Sequence, residues 1–141
     1  MLFSYHVDLE TDEDGRVVAD FPDLQGCSTD GADRAEALNE ATDALEVWLR
    51  YAASHGEEIP APGPAKGRPV VSADAVTSAK VALRVAMREA GVSNTELGRQ
   101  MDVAETEVRR MLDFKHRSKI GRLEQALAVL GRRVVLMVEA A

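Results

Sequence analysis

Two groups of residues in this 141-residue chain have types and spacing that could do chemistry. The first is acidic. Asp8 and Glu10 stand two positions apart, Asp12, Glu13 and Asp14 follow at once, and Asp20 and Asp23 come shortly after. Carboxylates that converge on Mg²⁺ can activate water for phosphodiester hydrolysis. The same residues spread over a wet surface would instead be a solvated acidic face, or one that docks a basic protein, with charge complementarity setting specificity and on-rate. A metal nuclease holds its carboxylates on a larger sheet than this short segment can build, so docking is the better fit. The second group is basic. Arg109 and Arg110 share a short helical pattern with Glu105, Thr106 and Glu107, and Lys115, His116, Arg117, Lys119 and Arg122 continue the charge. Arg bonds guanine O6 and N7 bidentately, Thr reaches bases or phosphates, and Lys acts mainly on phosphate. Glu105 and Glu107 oppose phosphate.

Other chemistry has little support. His6, His55 and His116 lie far apart and form no ligand pair at helical spacing, so neither a metal nor another cofactor is expected. Cys27 is the only cysteine, which excludes an intrachain disulfide and suits a reducing cytoplasm. With no His or Asp to activate it, Cys27 reads as packing and not as a nucleophile. Asp8 and Glu10 interrupt what would be the apolar run of a secretory signal, and no apolar stretch is long enough for a bilayer span.

Charge divides the chain. The total is −7, but residues 1–69 carry 15 carboxylates against 5 cations, net −10, while residues 70–141 carry 9 against 12, net +3. The sign changes across GEEIPAPGPAKGRP (56–69), which holds four of the five prolines. Pro removes backbone donors and fixes φ, so no regular element fits there. The expected organisation is a domain over 1–60, a linker with an edge strand at Val70–Val71 over 61–71, and a second domain over 72–141.

In the first domain Phe3, Tyr5, Val7 and Leu9 alternate with polar residues, the pattern of a strand with one buried face. Asp14-Gly15 supplies the turn, and Val17, Ala19 and Phe21 make a second, antiparallel strand that Pro22 ends. A short third strand is expected within Gln25–Thr29. Asp33 and Glu36 have capping-box spacing, and Leu38, Ala41, Leu45, Trp48, Leu49 and Ala52 form the stripe of a long helix ending at Gly56. The class is α+β: a small antiparallel sheet with one long helix, followed by an all-α domain.

In that second domain a helix over 76–90 stops at Gly91. Ser93 and Glu96 form another capping box, and a break at Asp102-Val103 separates two short helices through Leu112. This is the spacing of a helix-turn-helix, whose second helix enters the major groove. Leu97, Met101, Val103, Val108 and Leu112 point inward, and Gly98 is small where the helices meet. Another helix runs from Ile120 to Leu130, and the apolar Val134–Val138 is expected as a short C-terminal strand that pairs with a second copy or with its own domain. Five of six aromatics precede residue 52, so stacking on single-stranded bases is not this half's mode, and duplex DNA is the better substrate.

With both halves described, the chain resembles the HicB antitoxins of type II toxin–antitoxin pairs, in the variant with a Cro/repressor-like helix-turn-helix. FSYHVDLETDEDGRVVADFPDLQGCSTDGADRAEALNEATDALEVWL and the Pro-rich exit IPAPGP carry the first half of the resemblance. SNTELGRQMDVAETEVRRML followed by HRSKIGRLEQALAVLG carries the second. The resemblance implies a partial RNase H-like fold without nuclease activity. It implies that this fold binds a HicA toxin, a small basic ribonuclease, while the second domain forms a homodimer or higher oligomer and represses its own operon. Two departures stand out: Asn94 and Thr95 replace the Gln common in the family's first helical turn, and Asp102 replaces the turn Gly. The DNA-binding residues expected are Ser93, Asn94, Thr95, Glu105, Thr106, Arg109, Arg110, Lys115 and Lys119. For the toxin they are Asp8, Glu10, Asp20 and Asp23. The alternative is a stand-alone transcription regulator whose first domain senses a small ligand.

Overall fold

The computed structural model describes residues 1–140, and the chain divides into two compact units, Met1–Asp74 and the residues from Ala75 onward. The first carries 16 carboxylates against 5 cations, net −11, and the second 8 against 12, net +4.

The first unit is α+β. Strands β1 (Ser4–His6), β2 (Asp8–Thr11), β3 (Val17–Asp20) and β4 (Ser28–Gly31) precede helix α1 (Arg34–His55), and β5 (Val70–Ser72) closes it. β2, β3 and β4 form an antiparallel sheet, while β1 pairs antiparallel with β5 through Tyr5 opposite Val71. The alternation from Phe3 to Glu10 thus serves two ladders rather than one strand. Val7 is the switch: its N–H donates to Pro69 O at 2.9 Å, and Pro69 has no N–H to return. The third strand starts later than expected. Gly26 adopts φ +79°, and Phe21, Leu24 and Cys27 close a local turn through their backbone bonds, so pairing begins only at Ser28.

α1 begins and ends where its signals predict. The Asp33 carboxylate accepts from Glu36 N at 2.9 Å, Glu36 reaches back to Ala32 N at 3.1 Å, and the Gly56 N–H closes on Ala52 O. The deepest face is Ala37, Ala41, Leu45, Leu49, Ala52 and Ala53. Leu38 and Trp48, expected on the stripe, sit half-buried at its margin. Gly31 lets β4 pass close over the first turn of α1, whose backbone at Glu36 and Ala37 a Cβ there would run into. Each fully buried leucine here would cost about 2–5 kcal/mol to truncate to alanine.

The Pro-rich stretch is fastened to this unit. The Tyr5 hydroxyl donates to Pro60 O at 2.7 Å, Gly63 N donates to Asp23 at 2.8 Å, and Arg68 bonds Asp8 at 3.1 Å. Burial, aided by Asp23, pushes the Tyr5 phenol up to about 12.

The second unit is helical among its described residues: α2 (Ala75–Ala90), α3 (Asn94–Met101), α4 (Glu105–Leu112) and α5 (Ile120–Val129). Leu83, Leu97, Val108 and Leu123 are fully buried at its centre, with Met87, Met111, Leu112 and Leu127 around them. Ser93 Oγ accepts from Glu96 N at 3.1 Å and starts α3. Asp102 ends it in the left-handed region at φ 55°, ψ 47°, a conformation Asp tolerates better than most residues. A Cβ on Gly98 would lie 2.9 Å from Val103 O, so the tight turn into α4 passes close over that position.

The expected C-terminal strand does not form within one chain. Residues 132–140 have no regular structure, because no strand edge exists among the described residues of this unit for them to pair with. Val134 packs on the core, while Val135, Leu136, Met137 and Val138 are 71–85% exposed.

Candidate functional site

The basic face of the second unit is built by α4, the loop 113–119 and the start of α5. Helical periodicity buries Val108, Met111 and Leu112, which leaves Glu105, Thr106, Arg109 and Arg110 on the outer side. The two glutamates that oppose phosphate are neutralised internally. Glu105 pairs with Arg109 at 2.7 Å, one turn away, and Glu107 pairs with Arg122 of α5 at 2.6 Å. Among the described residues no ion pair occupies Arg110, Lys115, Arg117 or Lys119. Arg110, Arg117 and Lys119 meet around an open cleft of about 210 Å³, which Met111, His116, Ser118 and the Glu107–Arg122 pair also line, so its cations outnumber its one carboxylate. Such a cleft can receive an anionic oxygen group, as a nucleic-acid backbone presents along a duplex.

The remaining DNA-binding candidates sit beside α4 at the start of α3. The Ser93 hydroxyl is engaged as a helix cap, Thr95 is exposed, and Asn94 Nδ2 lies 3.5 Å from Glu105 Oε1. Glu105 therefore joins the α3 start to Arg109. Glu96 is held down near 2 by hydrogen bonds from Arg99 and Gln100, so it stays anionic on the exposed side of α3. Lys115 is exposed, its N–H closing a turn on Asp113 Oδ1 at 2.9 Å, and it lies outside the cleft lining.

Two residues of this region escaped the sequence reading. Lys80 on α2 is only 1% exposed, and its ammonium donates to the carbonyls of Arg110 at 3.3 Å, His116 at 2.7 Å and Asp113. Arg84, one turn later, donates to Leu112 O through Nε at 3.1 Å and Nη2 at 2.8 Å. A signal for Lys80 exists in the sequence: Val76, Lys80, Leu83 and Met87 fall at steps of four, three and four on one face of an amphipathic helix.

In the first unit the β2–β3–β4 sheet turns Leu9, Ala19 and Thr29 toward one face and its acids toward the other. Asp8 stands directly opposite Asp20, and Glu10 lies two residues along the same face. Like charges placed opposite each other destabilise a sheet, so this arrangement is a cost to the fold. Arg68 relieves it at Asp8, and Arg16 pairs with Asp30 at the next strand. Asp23 is not part of this face. It accepts from Gly63 N and lies 3.5 Å from the buried His6 Nδ1, a staple for the Pro-rich stretch. Among the described residues no three His, Cys, Asp or Glu side chains gather as a metal site would require. Cys27 is buried, and burial, with Asp20 nearby, pushes its thiol up to about 11. No described helix is long and apolar enough to cross a membrane.

No family model matches the chain. Similarity to individual proteins is extensive. The chain is 36% identical over 143 residues to Antitoxin HicB of Pseudomonas fluorescens (strain Pf0-1), covering 100% of this chain and 97% of that protein. It is 33% identical over 135 residues to Antitoxin HicB 1 of Photorhabdus laumondii, covering 96% and 86%, and 36% identical to Antitoxin HicB 2 of the same organism over 94% of each. These alignments run through both compact units, the acidic and the basic. The chain belongs to the HicB antitoxin family.

Proposed function

We propose that the protein neutralises a HicA-type toxin, a small basic ribonuclease, through its first unit, and represses its own operon through its second. The observation that carries this reading is the partition of charge between two compact units: net −11 with Asp8, Glu10 and Asp20 on one sheet face, and net +4 with cations lacking ion pairs beside α4. A ribonuclease built to hold RNA phosphates presents cations, and an acidic face seated on them excludes substrate. The protein itself acts without catalysis, as a stoichiometric cover.

α4 is the recognition helix of this reading, entering the major groove of operator duplex DNA with Arg109, Arg110 and Thr106 outward. Arg110, Lys115, Arg117 and Lys119 meet backbone phosphates or base edges. Two copies related by a two-fold axis would read half-sites about 34–36 Å apart. The exposed apolar tail at Val135–Val138 favours a homodimer or higher oligomer, since an isolated chain leaves it in water. The setting is the cytoplasm, where both the toxin's RNA and the operon lie.

The test is to look beside the gene for an open reading frame that encodes a small basic protein, and to co-express the two. Growth should be rescued and the two proteins should co-purify, with asparagine or glutamine at Asp8, Glu10 and Asp20 weakening the pair. A neighbour whose toxicity the protein cannot relieve, or with which it does not co-purify, would refute the antitoxin role. Retention of the promoter duplex in a gel-shift assay tests repression separately.

A further inference from the structure

The loop 113–119 carries three of the four cations beside α4 that lack ion pairs, yet has no regular structure and no ladder of its own. Local bonds turn it at Asp113, which accepts from Lys115 N at 2.9 Å and His116 N at 3.1 Å, and Ser118 Oγ lies 3.5 Å from Arg110 O; its remaining anchors come from α2. A helix C-terminus leaves its last carbonyls without intrahelical partners, and a cation there also complements the helix dipole. α2 supplies both services to α4. The three donors of Lys80 go to Arg110 O, Asp113 O and His116 O, which span the last turn of α4 and the middle of the loop. Arg84 holds Leu112 O with two donors, and its guanidinium lies 5.3 Å from the Phe114 ring centroid. All the acceptors are neutral backbone carbonyls. Burial depresses the Lys80 and Arg84 cations, with Asp113 pulling each back up.

A buried ammonium is an expensive way to fill a helix stripe, and an apolar residue of similar volume commonly serves stability as well or better. What an apolar residue cannot do is fix three carbonyls in space at once. We infer that Lys80 and Arg84 are positioning residues for nucleic-acid binding, clamping α4 and the basic loop in one register so that Arg110, Arg117 and Lys119 face the same cleft. This rests on the DNA-binding reading of the second unit. Neither residue touches DNA; they act through the backbone that carries the residues that do.

The experiment uses the full-length Lys80→Met and Arg84→Gln variants, with fluorescence anisotropy on a duplex covering the promoter region upstream of the gene. Each is measured over a range of salt concentrations and beside a thermal melt. In folded Lys80→Met protein, affinity should fall at least about tenfold, and the slope of log K against log salt should shrink by about 1 for each phosphate no longer neutralised. A residue that only stabilised the fold would lower the melting temperature and leave the slope of the folded fraction unchanged. That outcome in either variant overturns the proposal. Should Lys80→Met fail to fold, Arg84→Gln, whose site is half-buried, decides it by the same slope. If wild-type protein does not retain the promoter duplex at all, the DNA-binding reading fails and the clamp falls with it. If wild type binds, Arg110→Ala weakens binding and both clamp variants bind as wild type, only the clamp is wrong.

Discussion

Gly31→Ala tests the architecture of the acidic unit, and its cost can be worked from interatomic distances. A Cβ at 31 would run into Ala37 N and lie 2.8 Å from Glu36 C and 2.9 Å from Ala37 Cα. All three atoms belong to the backbone of the first turn of α1, so no change of rotamer relieves them. Overpacking costs about 1–3 kcal/mol where side chains can give way, and here only a shift of helix against strand can, which argues for about 3 kcal/mol or more. Alanine restricts the unfolded chain and returns about 0.4–1 kcal/mol. The net loss is at least about 2 kcal/mol, and at about 4–8 °C per kcal/mol for a unit of this size the transition should fall by at least about 8 °C. Gly98→Ala is the internal comparison. Its Cβ meets one close atom, Val103 O at 2.9 Å, with the next at 3.6 Å. Alanine in a helix interior also gains about 1 kcal/mol over glycine, so this change should cost between about zero and 2 kcal/mol. Trp48, the only tryptophan, lies in the first unit and reports its melting by fluorescence, while far-UV dichroism follows both units. A Trp48 transition displaced by less than about 4 °C in Gly31→Ala, or a larger loss in Gly98→Ala, would refute the packing argument.

Two further predictions concern the surface and the thiol. Arg110→Ala should weaken promoter binding by about 1–3 kcal/mol, whereas Glu105→Gln should tighten it several-fold by removing a charge that opposes phosphate and releasing Arg109. Because that pair is exposed and worth at most about 0.5 kcal/mol, Glu105→Gln should leave the melting temperature nearly unchanged; both follow from anisotropy and thermal melts. Cys27, with its thiol raised to about 11 by burial, should react with iodoacetamide at pH 8 roughly two orders of magnitude more slowly than a free thiol, and unfolding in urea should abolish the difference.

Features governed by neighbouring residues are legible in the sequence alone. Asp33 with Glu36 and Ser93 with Glu96 mark helix starts because a side-chain oxygen three positions before an orphan N–H needs no distant partner. Asp102 bends the chain by its own φ. Features that depend on distant residues are not legible in this way. Nothing near Val7 reveals that its N–H will meet Pro69, so one alternating run reads as one strand. Leu38 is more hydrophobic than Ala37, yet Ala37 is fully buried and Leu38 only half, because the face that α1 turns inward is set by its docking on β4. The candidate sites divide along the same line. Alternation alone puts Asp8 and Glu10 on one face, and the register adds Asp20, but Asp23, chosen by its charge, proves to hold Gly63. Arg109 and Arg110 look equivalent as letters, and the structure separates them by pairing Arg109 with Glu105 and placing Arg110 on the cleft.

That separation bears on how many copies bind DNA. Counterion release makes log K fall with log salt at about 0.9 per phosphate neutralised on a duplex. One copy offers Arg110, Lys115, Arg117 and Lys119 without first breaking an ion pair, so its slope should not exceed about 3.6. Two copies on a two-fold site would double this to about 7, equivalent to a loss of roughly four orders of magnitude in affinity between 50 and 200 mM salt. Leu136→Asp charges a segment that is 78% exposed in the single chain, so it should cost the fold almost nothing. If pairing of tails brings the second copy, the same change should reduce the slope from about 7 toward 3.6 and abolish the dimer in sedimentation. A slope near 7 that survives Leu136→Asp would mean that the copies meet elsewhere. A slope near 3.6 in the unaltered protein would mean that a single chain binds, and the two-fold reading of the operator would be wrong.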